Sequence, residues 1–315
     1  MDKQAVIVTG TSSGIGLETA LFLAERGFEV YATMRDLTAS GDLKAKTAKR
    51  NTRLYYLQMD VTDRSSIQNA VKTVIAQSGG IYGLVNNAGI NIRGFFEDLS
   101  EEEMRQVLEV NVFGTMAVTR TVLPYMRAAR RGRIVIMSSV GGKIPSLGNA
   151  AYCSSKFALE GFGLTLAQEI APFGLSVSLV EPGFVRTELF GRNRYAAERA
   201  RDPGSPYYGW FLQMEKLTDK LANSPIASPA DVAKTVYDAL TAERPRLTYI
   251  VGRRAKALIS LQRYLPGELF ERMWIREAVR RIQRPGTSSN GKAHLTGSKD
   301  IDPPNVEVGK KQPVV

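Results

Sequence analysis

One cysteine and one histidine in 315 residues remove whole classes of chemistry. Cys153 alone can form neither an intrachain disulfide nor a Cys-rich metal site, which suits a reducing compartment. Its place beside a tyrosine reads as a packed small side chain before a redox group. His294 lies in a polar stretch near the C-terminus, so histidine triads and His-rich zinc sites are excluded by counting. No metal site is expected. The chain also lacks an apolar run long enough to span a bilayer. Met1-Asp2-Lys3-Gln4 passes straight into a strand pattern, without the basic and apolar regions of a signal peptide. The expectation is a soluble, cytoplasmic protein.

Acidic residues are outnumbered, 31 Asp and Glu against 42 Lys and Arg, for a net charge of +11. The excess is local. Between Arg253 and Arg284 there are nine cationic residues and three acids, Glu268, Glu271 and Glu277. No helix-turn-helix, zinc-finger or aromatic RNA-binding signature accompanies the charge, so nucleic acid is not the expected partner.

What is present is alternation. Short β-branched runs at Ala5–Thr9, Glu29–Met34, Leu54–Met59, Gly83–Asn86, Arg133–Met137, Ser176–Val180 and Leu247–Val251 read as strands. Helical patterns cover Gly14–Glu25, Asp63–Gln77, Glu101–Val110 running on to Arg130, Tyr152–Ala171 and Pro229–Ala242. Asp63 and Ser100 are suited to cap two of these helices. The pattern predicts an α/β fold: a single Rossmann-type doubly wound parallel sheet with a substrate lid and C-terminal helices. Ligands of such sheets gather at the carboxyl ends of the strands. Gly10–Gly16, Asp60, Asn86–Gly89, Ser139 and Pro182–Thr187 all fall there.

The turn after the first strand is Gly10-Thr11-Ser12-Ser13-Gly14-Ile15-Gly16. Gly10 allows a tight turn, and Gly14 and Gly16 admit close approach of a pyrophosphate to the backbone and of the helix to the strand. The helix N-terminus then offers amide N–H groups and a positive dipole end to phosphates. Further along, Tyr152 and Lys156 share a helix face, with Ser139 upstream. A phenol, an ammonium and a hydroxyl are the groups needed to move a proton while a nicotinamide moves a hydride.

Thr9-Gly10-x-x-x-Gly14-x-Gly16, Asn86-Asn87-Ala88-Gly89, Asn111, Ser139, Tyr152-x-x-x-Lys156 and Pro182-Gly183 together resemble the short-chain dehydrogenase/reductase family, in order from about Lys3 to Gly252. The stretches Val30–Leu37 and Tyr152–Gly161 are similar to its 17β-hydroxysteroid and retinol dehydrogenase branch. The resemblance implies that Tyr152 is the general acid in ketone reduction and the base in alcohol oxidation. It implies that Lys156 lowers the Tyr152 pKa and holds the nicotinamide ribose, and that Ser139 rather than Ser138 bonds the substrate oxygen. Asn111 would hold a water linking Lys156 to solvent; the alternative is a helix-interior polar side chain bonding backbone.

Cofactor contacts implied in the same way are Ser12, Ser13 and Ile15 in the glycine turn and Asp60 with Val61 at the adenine. Asn87, Ala88 and Gly89 would line the adenosine ribose. Pro182, Gly183, Val185 and Thr187 follow the sixth strand of the pattern, the last two at the carboxamide. NAD-selective relatives carry an acid at the end of the second strand. Here Met34 stands there, followed by Arg35, which can pair with a 2′-phosphate. NADPH/NADP is therefore expected, with NAD the alternative because Asp36 could turn back toward the ribose.

Three segments complete the reading. Residues 1–252 form the dinucleotide-binding and catalytic domain, in which 184–224, rich in aromatics, reads as a lid; a surface excursion completing the core is the alternative. Residues 253–284 read as two basic amphipathic helices broken at Pro266-Gly267. They could lie on an anionic membrane, or pack over the pocket or a second subunit. Residues 285–315 have the composition of a disordered tail. The expected substrate is a lipophilic alcohol, ketone or aldehyde of steroid, retinoid or lipid type, turned over by a homodimer or homotetramer. A ketoreductase for acyl or polyketide-like intermediates is the second reading. A catalytically silent nucleotide sensor is the third, and the intact Tyr152 and Lys156 speak against it.

Overall fold

The structure is a computed structural model that describes residues 4–186, 195–222 and 227–283. Its strands are β1 (Ala5–Thr9), β2 (Glu29–Met34), β3 (Tyr55–Gln58), β4 (Gly83–Asn86), β5 (Ile92–Arg93), β6 (Gly132–Met137), β7 (Leu175–Pro182), β8 (Tyr195–Ala196) and β9 (Thr248–Val251). Among the described residues, seven of them form one parallel sheet in the order β3-β2-β1-β4-β6-β7-β9. β5 and β8 pair separately. The order reverses between β1 and β4, so a crevice opens at the carboxyl ends of those two strands, where such sheets bind ligands.

β1 shows how the sequence produces the layers. All five of its residues are buried, and alternation sends Ile7 to one face of the sheet and Val6 and Val8 to the other. On the Ile7 face lie α3 (Arg64–Ser78), α5 (Thr115–Ala129) and α6 (Ala150–Ile170), through Val71, Val122 and Leu159. On the Val8 face lie α1 (Gly14–Glu25) and α8 (Pro229–Thr241), through Leu21 and Val236. Each such buried aliphatic side chain contributes roughly 1.5–3 kcal/mol. Asp63 caps α3, accepting from Ser65 N and Ser66 N, and Ser100 with Glu103 closes a capping box on α4 (Glu101–Leu108).

Three helical features depart from the sequence expectation. α2 (Gly41–Lys49) went unread because it buries only Leu43 and Thr47, too few for a visible period. The helix expected from Glu101 to Arg130 is interrupted by a π-helical turn at Glu109–Gly114. There Gly114 packs on Val61; a Cβ would stand 2.8 Å from Val61 Cγ2. In the lid segment, α7 (Tyr208–Ala222) is a regular helix. Its Phe211 and Met214 are buried with Ile92, Val107 and Ala200 in a satellite core. Phe211 thus completes a core rather than presenting a free aromatic face. The two C-terminal helices are α9 (Arg253–Tyr264) and α10 (Gly267–Gln283), divided where Pro266-Gly267 predicts. Thr187, with the rest of 187–194 and 223–224 of the expected lid, and the segment 284–315 lie outside the described residues.

Candidate active site

The carboxyl edge of the sheet collects nearly every residue singled out from sequence. The glycine turn follows β1, Arg35 follows β2, and Asp60 and Val61 follow β3. Asn87–Gly89 follow β4, Ser139 follows β6, and Pro182, Gly183 and Val185 end β7 or follow it.

Backbone geometry explains the glycines. Gly10 and Gly14 have φ of 70° and 59°, in the region that favours residues without a Cβ. At Gly16 a Cβ would collide with Gly10 O and with Asn87 Nδ2, so α1 can pack against the turn only with glycine there. Asn87 clasps the turn: its Nδ2 donates to Thr9 O at 2.9 Å and Gly10 O at 3.1 Å. Thr9 Oγ1 accepts from Asn87 N and Ala88 N, and Thr11 Oγ1 donates to Thr33 O at 3.1 Å. Thr9 opens the motif quoted from the sequence, but its partners lie 78 and 79 residues away, so its clasping role has no local signal; nor has that of Thr11. No acid stands in the first turn of α1, where Ser13 takes the N-cap position. An anion fits that end, whose first N–H groups have no intrahelical acceptor.

At the end of β2, Met34 is buried and Arg35 exposed. Asp36 does not turn back. Its carboxylate accepts from Thr38 N at 2.8 Å and from Thr38 Oγ1 at 2.7 Å, bonds that hold it below the usual carboxylate range. Asp60 likewise accepts from Thr62 N and Oγ1. Val185 buries its side chain in the α1/α8 layer.

α6 carries Tyr152 and Lys156, and the Lys156 Nζ lies 5.5 Å from the Tyr152 ring centroid. Lys156 is buried and donates to Met137 O at 2.8 Å. Burial pulls it down to about 8, opposed by the charge of Glu160. Tyr152 is pushed up to about 12 by burial, against a hydrogen bond with Ser139 that pulls it down. The expected lowering by Lys156 is thus corrected: burial of the phenol sets the direction, Ser139 supplies the opposing pull, and the ammonium is turned to a backbone carbonyl. Ser139 caps the short turn Val140–Gly142, accepting from Gly141 N at 3.0 Å. Ser138 is buried beside it.

Asn111, on the π-helical turn, is fully buried. Its Oδ1 accepts from Ile90 N at 2.8 Å, and its Nδ2 donates to Ile90 O at 2.9 Å and Ser155 Oγ at 3.0 Å. Ser155 in turn donates to Tyr152 O. This chain from Asn111 to the tyrosine backbone was not legible in the sequence, because nothing about Ser155 distinguishes it from Ser154. π-Helical turns are frequent at functional sites.

Beside the site is a mainly apolar cavity of about 510 Å³ whose lining includes Phe95, Phe96, Pro145, Leu147, Cys153 and Phe157. Tyr207 stacks on Phe95 at 5.0 Å, and Trp210 is tilted against it at 6.1 Å. Met214 packs on Gly148, where a Cβ would collide with its sulfur. The C-terminal helices also reach the rim: Trp274 Nε1 donates to Pro145 O at 2.7 Å and Gln262 Nε2 to Lys143 O at 3.1 Å.

A dinucleotide-type glycine turn and a phenol, ammonium and hydroxyl at one switch point define a nicotinamide-dependent oxidoreductase. The profile described as short chain dehydrogenase matches residues 4–198. Retinol dehydrogenase 8 of Bos taurus is 36% identical over 280 residues, 85% of this chain and 88% of that one. 17-beta-hydroxysteroid dehydrogenase type 1 of Homo sapiens is 35% identical over 270 residues, 83% of this chain and 81% of that one. A crystal structure of a short-chain dehydrogenase from Streptomyces avermitilis has a TM-score of 0.72 at 33% identity, covering 92% of this chain and 100% of that one. The chain belongs to the short-chain dehydrogenase/reductase family. It is an oxidoreductase acting on alcohol or carbonyl groups with a nicotinamide cofactor. Among the described residues no helix is long and apolar enough to cross a membrane, and no group of residues is arranged to hold a metal ion.

Proposed function

We propose that this chain is an NADP(H)-dependent oxidoreductase for a bulky apolar alcohol, ketone or aldehyde of steroid, retinoid or lipid type. The observation that carries the reading is the apolar cavity lined by Cys153, the residue next to Tyr152. The retinol and steroid dehydrogenases among its relatives support the substrate class. Bound nicotinamide supplies or takes the hydride. Tyr152 moves the proton: as a neutral phenol, held so by burial, it donates to the carbonyl oxygen in reduction. Ser139 bonds that oxygen as charge develops. Lys156 holds the ribose and steadies the phenolate. Asn111 holds the proton path behind Lys156 and, through Ser155, the start of α6.

Ser12, Ser13, Gly14, Ile15 and Gly16 bind the phosphates, with Asp60 and Val61 at the adenine and Ala88 and Gly89 at the ribose. Asn87 serves the same site mainly by clasping the glycine turn. Gly183 and Val185 contribute backbone at the carboxamide. Arg35 selects the 2′-phosphate, a reading supported by its exposure and by the engagement of Asp36 with Thr38.

The described part of the lid, residues 195–222, carries Tyr207 and Trp210, which reach the cavity through Phe95. α9 and α10 brace the cavity rim, a reading supported by the Trp274 and Gln262 bonds; docking on an anionic membrane is the alternative. The exposed Phe113, Tyr125 and Leu164 of the π-turn, α5 and α6 suit contact with a second copy in a homodimer or homotetramer. Turnover of retinal, estrone and acetoacetyl thioesters with NADPH and NADH tests the whole reading. Retinal or estrone with NADPH is the expected pair; thioester turnover alone would move the enzyme to the ketoreductases.

A further inference from the structure

One helical turn beyond Lys156, α6 buries a second ionisable side chain. Glu160 is 5% exposed, and Glu181, near the end of β7, is fully buried. Lys143, just past the turn that Ser139 caps, places its Nζ 2.8 Å from Glu160 Oε2 and 3.6 Å from Glu181 Oε1. The three side chains therefore tie together the segments that carry Ser139, Lys156 and Pro182-Gly183. With both carboxylates ionised, the one ammonium of Lys143 leaves a surplus negative charge beside α6. An unbalanced buried charge is expensive. Lys156, equally buried and facing a neutral carbonyl, has the complementary problem. Side chains four apart on a helix are neighbours, so Glu160 and Lys156 can relieve each other through space.

We propose that Glu160, bridged by Lys143 to Glu181, is a positioning residue that balances the charge of Lys156 and so keeps its ammonium available to Tyr152. It rests on the assignment of Tyr152 and Lys156 as the proton-transfer pair. The charges acting here come from Lys143 on the turn after β6, Glu181 on β7, and Lys156 and Glu160 on α6. Burial lowers Lys156 while Glu160 raises it. Glu181 is pushed up to about 7 by burial first and then by Glu160, with Lys143 opposing. Lys143 is itself lowered by burial, but the two carboxylates more than offset this and leave it raised. As pH rises through about 7 Glu181 takes on negative charge beside Glu160. That charge arrives just below the pH at which Lys156 begins to lose its proton.

The test is an NMR titration of full-length protein carrying ¹³C-labelled lysine, with the Lys156 resonance assigned by its loss in Lys156→Met. In the wild type this resonance should show a small step near neutral pH from Glu181, ahead of its own titration. Glu160→Gln should move the Lys156 titration down by on the order of one pH unit, and Glu160→Asp should restore most of it. Lys143→Gln, which frees the Glu160 charge from its competitor, should move it up. An unmoved Lys156 titration in Glu160→Gln, even with lowered thermal stability, would reduce the cluster to a structural tie. If that variant does not fold, a downward shift in Lys143→Gln or a wild-type curve without the step overturns the proposal. Because the readout needs no substrate, failure of the catalytic assignment shows separately, as turnover surviving in Tyr152→Phe.

Discussion

The nucleotide half of the molecule and its substrate side are built on different constraints. Around β1 and β4, contacts end on the backbone: Gly16 packs on Gly10 O, Thr9 Oγ1 accepts from Asn87 N and Ala88 N, and Asn87 Nδ2 donates to Thr9 O. Around the cavity, large side chains do the packing: Tyr207 stacks on Phe95, Met214 sits on Gly148, and the Trp274 indole bonds Pro145 O. A contact that leaves no room for a Cβ, as at Gly16, admits one residue type. Packing of one large side chain on another admits several.

The sharpest way to break this contrast is at the point where the halves meet. Tyr152→Phe should cut turnover on the order of 10²–10⁴-fold while leaving NADPH affinity, measured by fluorescence titration, close to wild type. Loss of affinity with chemistry preserved would place Tyr152 in the nucleotide half instead.

Phe211 and Trp210 are adjacent yet belong to different worlds. Phe211 is buried in the satellite core and Trp210 is 41% exposed. Phe211→Ala should destabilise the protein by about 3 kcal/mol, seen in the urea midpoint whatever the substrate. Equal urea midpoints for the two alanine variants would erase the distinction between core and lid.

Arg35→Leu should raise the Michaelis constant for NADPH about ten- to a hundredfold, the scale of one charge-assisted bond, and barely change that for NADH. An equal rise for both cofactors means that Arg35 does not read the 2′-phosphate.

Trp210→Ala is expected to have the smallest effect: a few-fold lower kcat/KM on estrone or retinal than on a small ketone such as cyclohexanone, with stability changed by less than about 1 kcal/mol. No difference between large and small ketones would detach α7 from substrate selection.

Seven strand positions, the glycine turn and the order of Ser139, Tyr152 and Lys156 were legible in the amino-acid sequence, because period, turn chemistry and helical spacing are local properties. α2 was not, since two buried residues in nine leave no period. Nor was the π-turn, within which Gly114 packs on Val61 and Asn111 bonds Ile90, both distant in the chain. The Tyr152 pKa illustrates the same limit: the sequence places an ammonium four residues away, but only the fold says how dry the phenol is and which carbonyl occupies the ammonium. Residue types and their spacing determined by themselves the sheet, the phosphate turn and the reacting groups. Tertiary structure alone decided where Asp36 points, that Phe211 is core, and that Glu160, Glu181 and Lys143 share one buried site. Those outcomes depend on which distant surfaces exclude water, and desolvation is a property of the assembled fold.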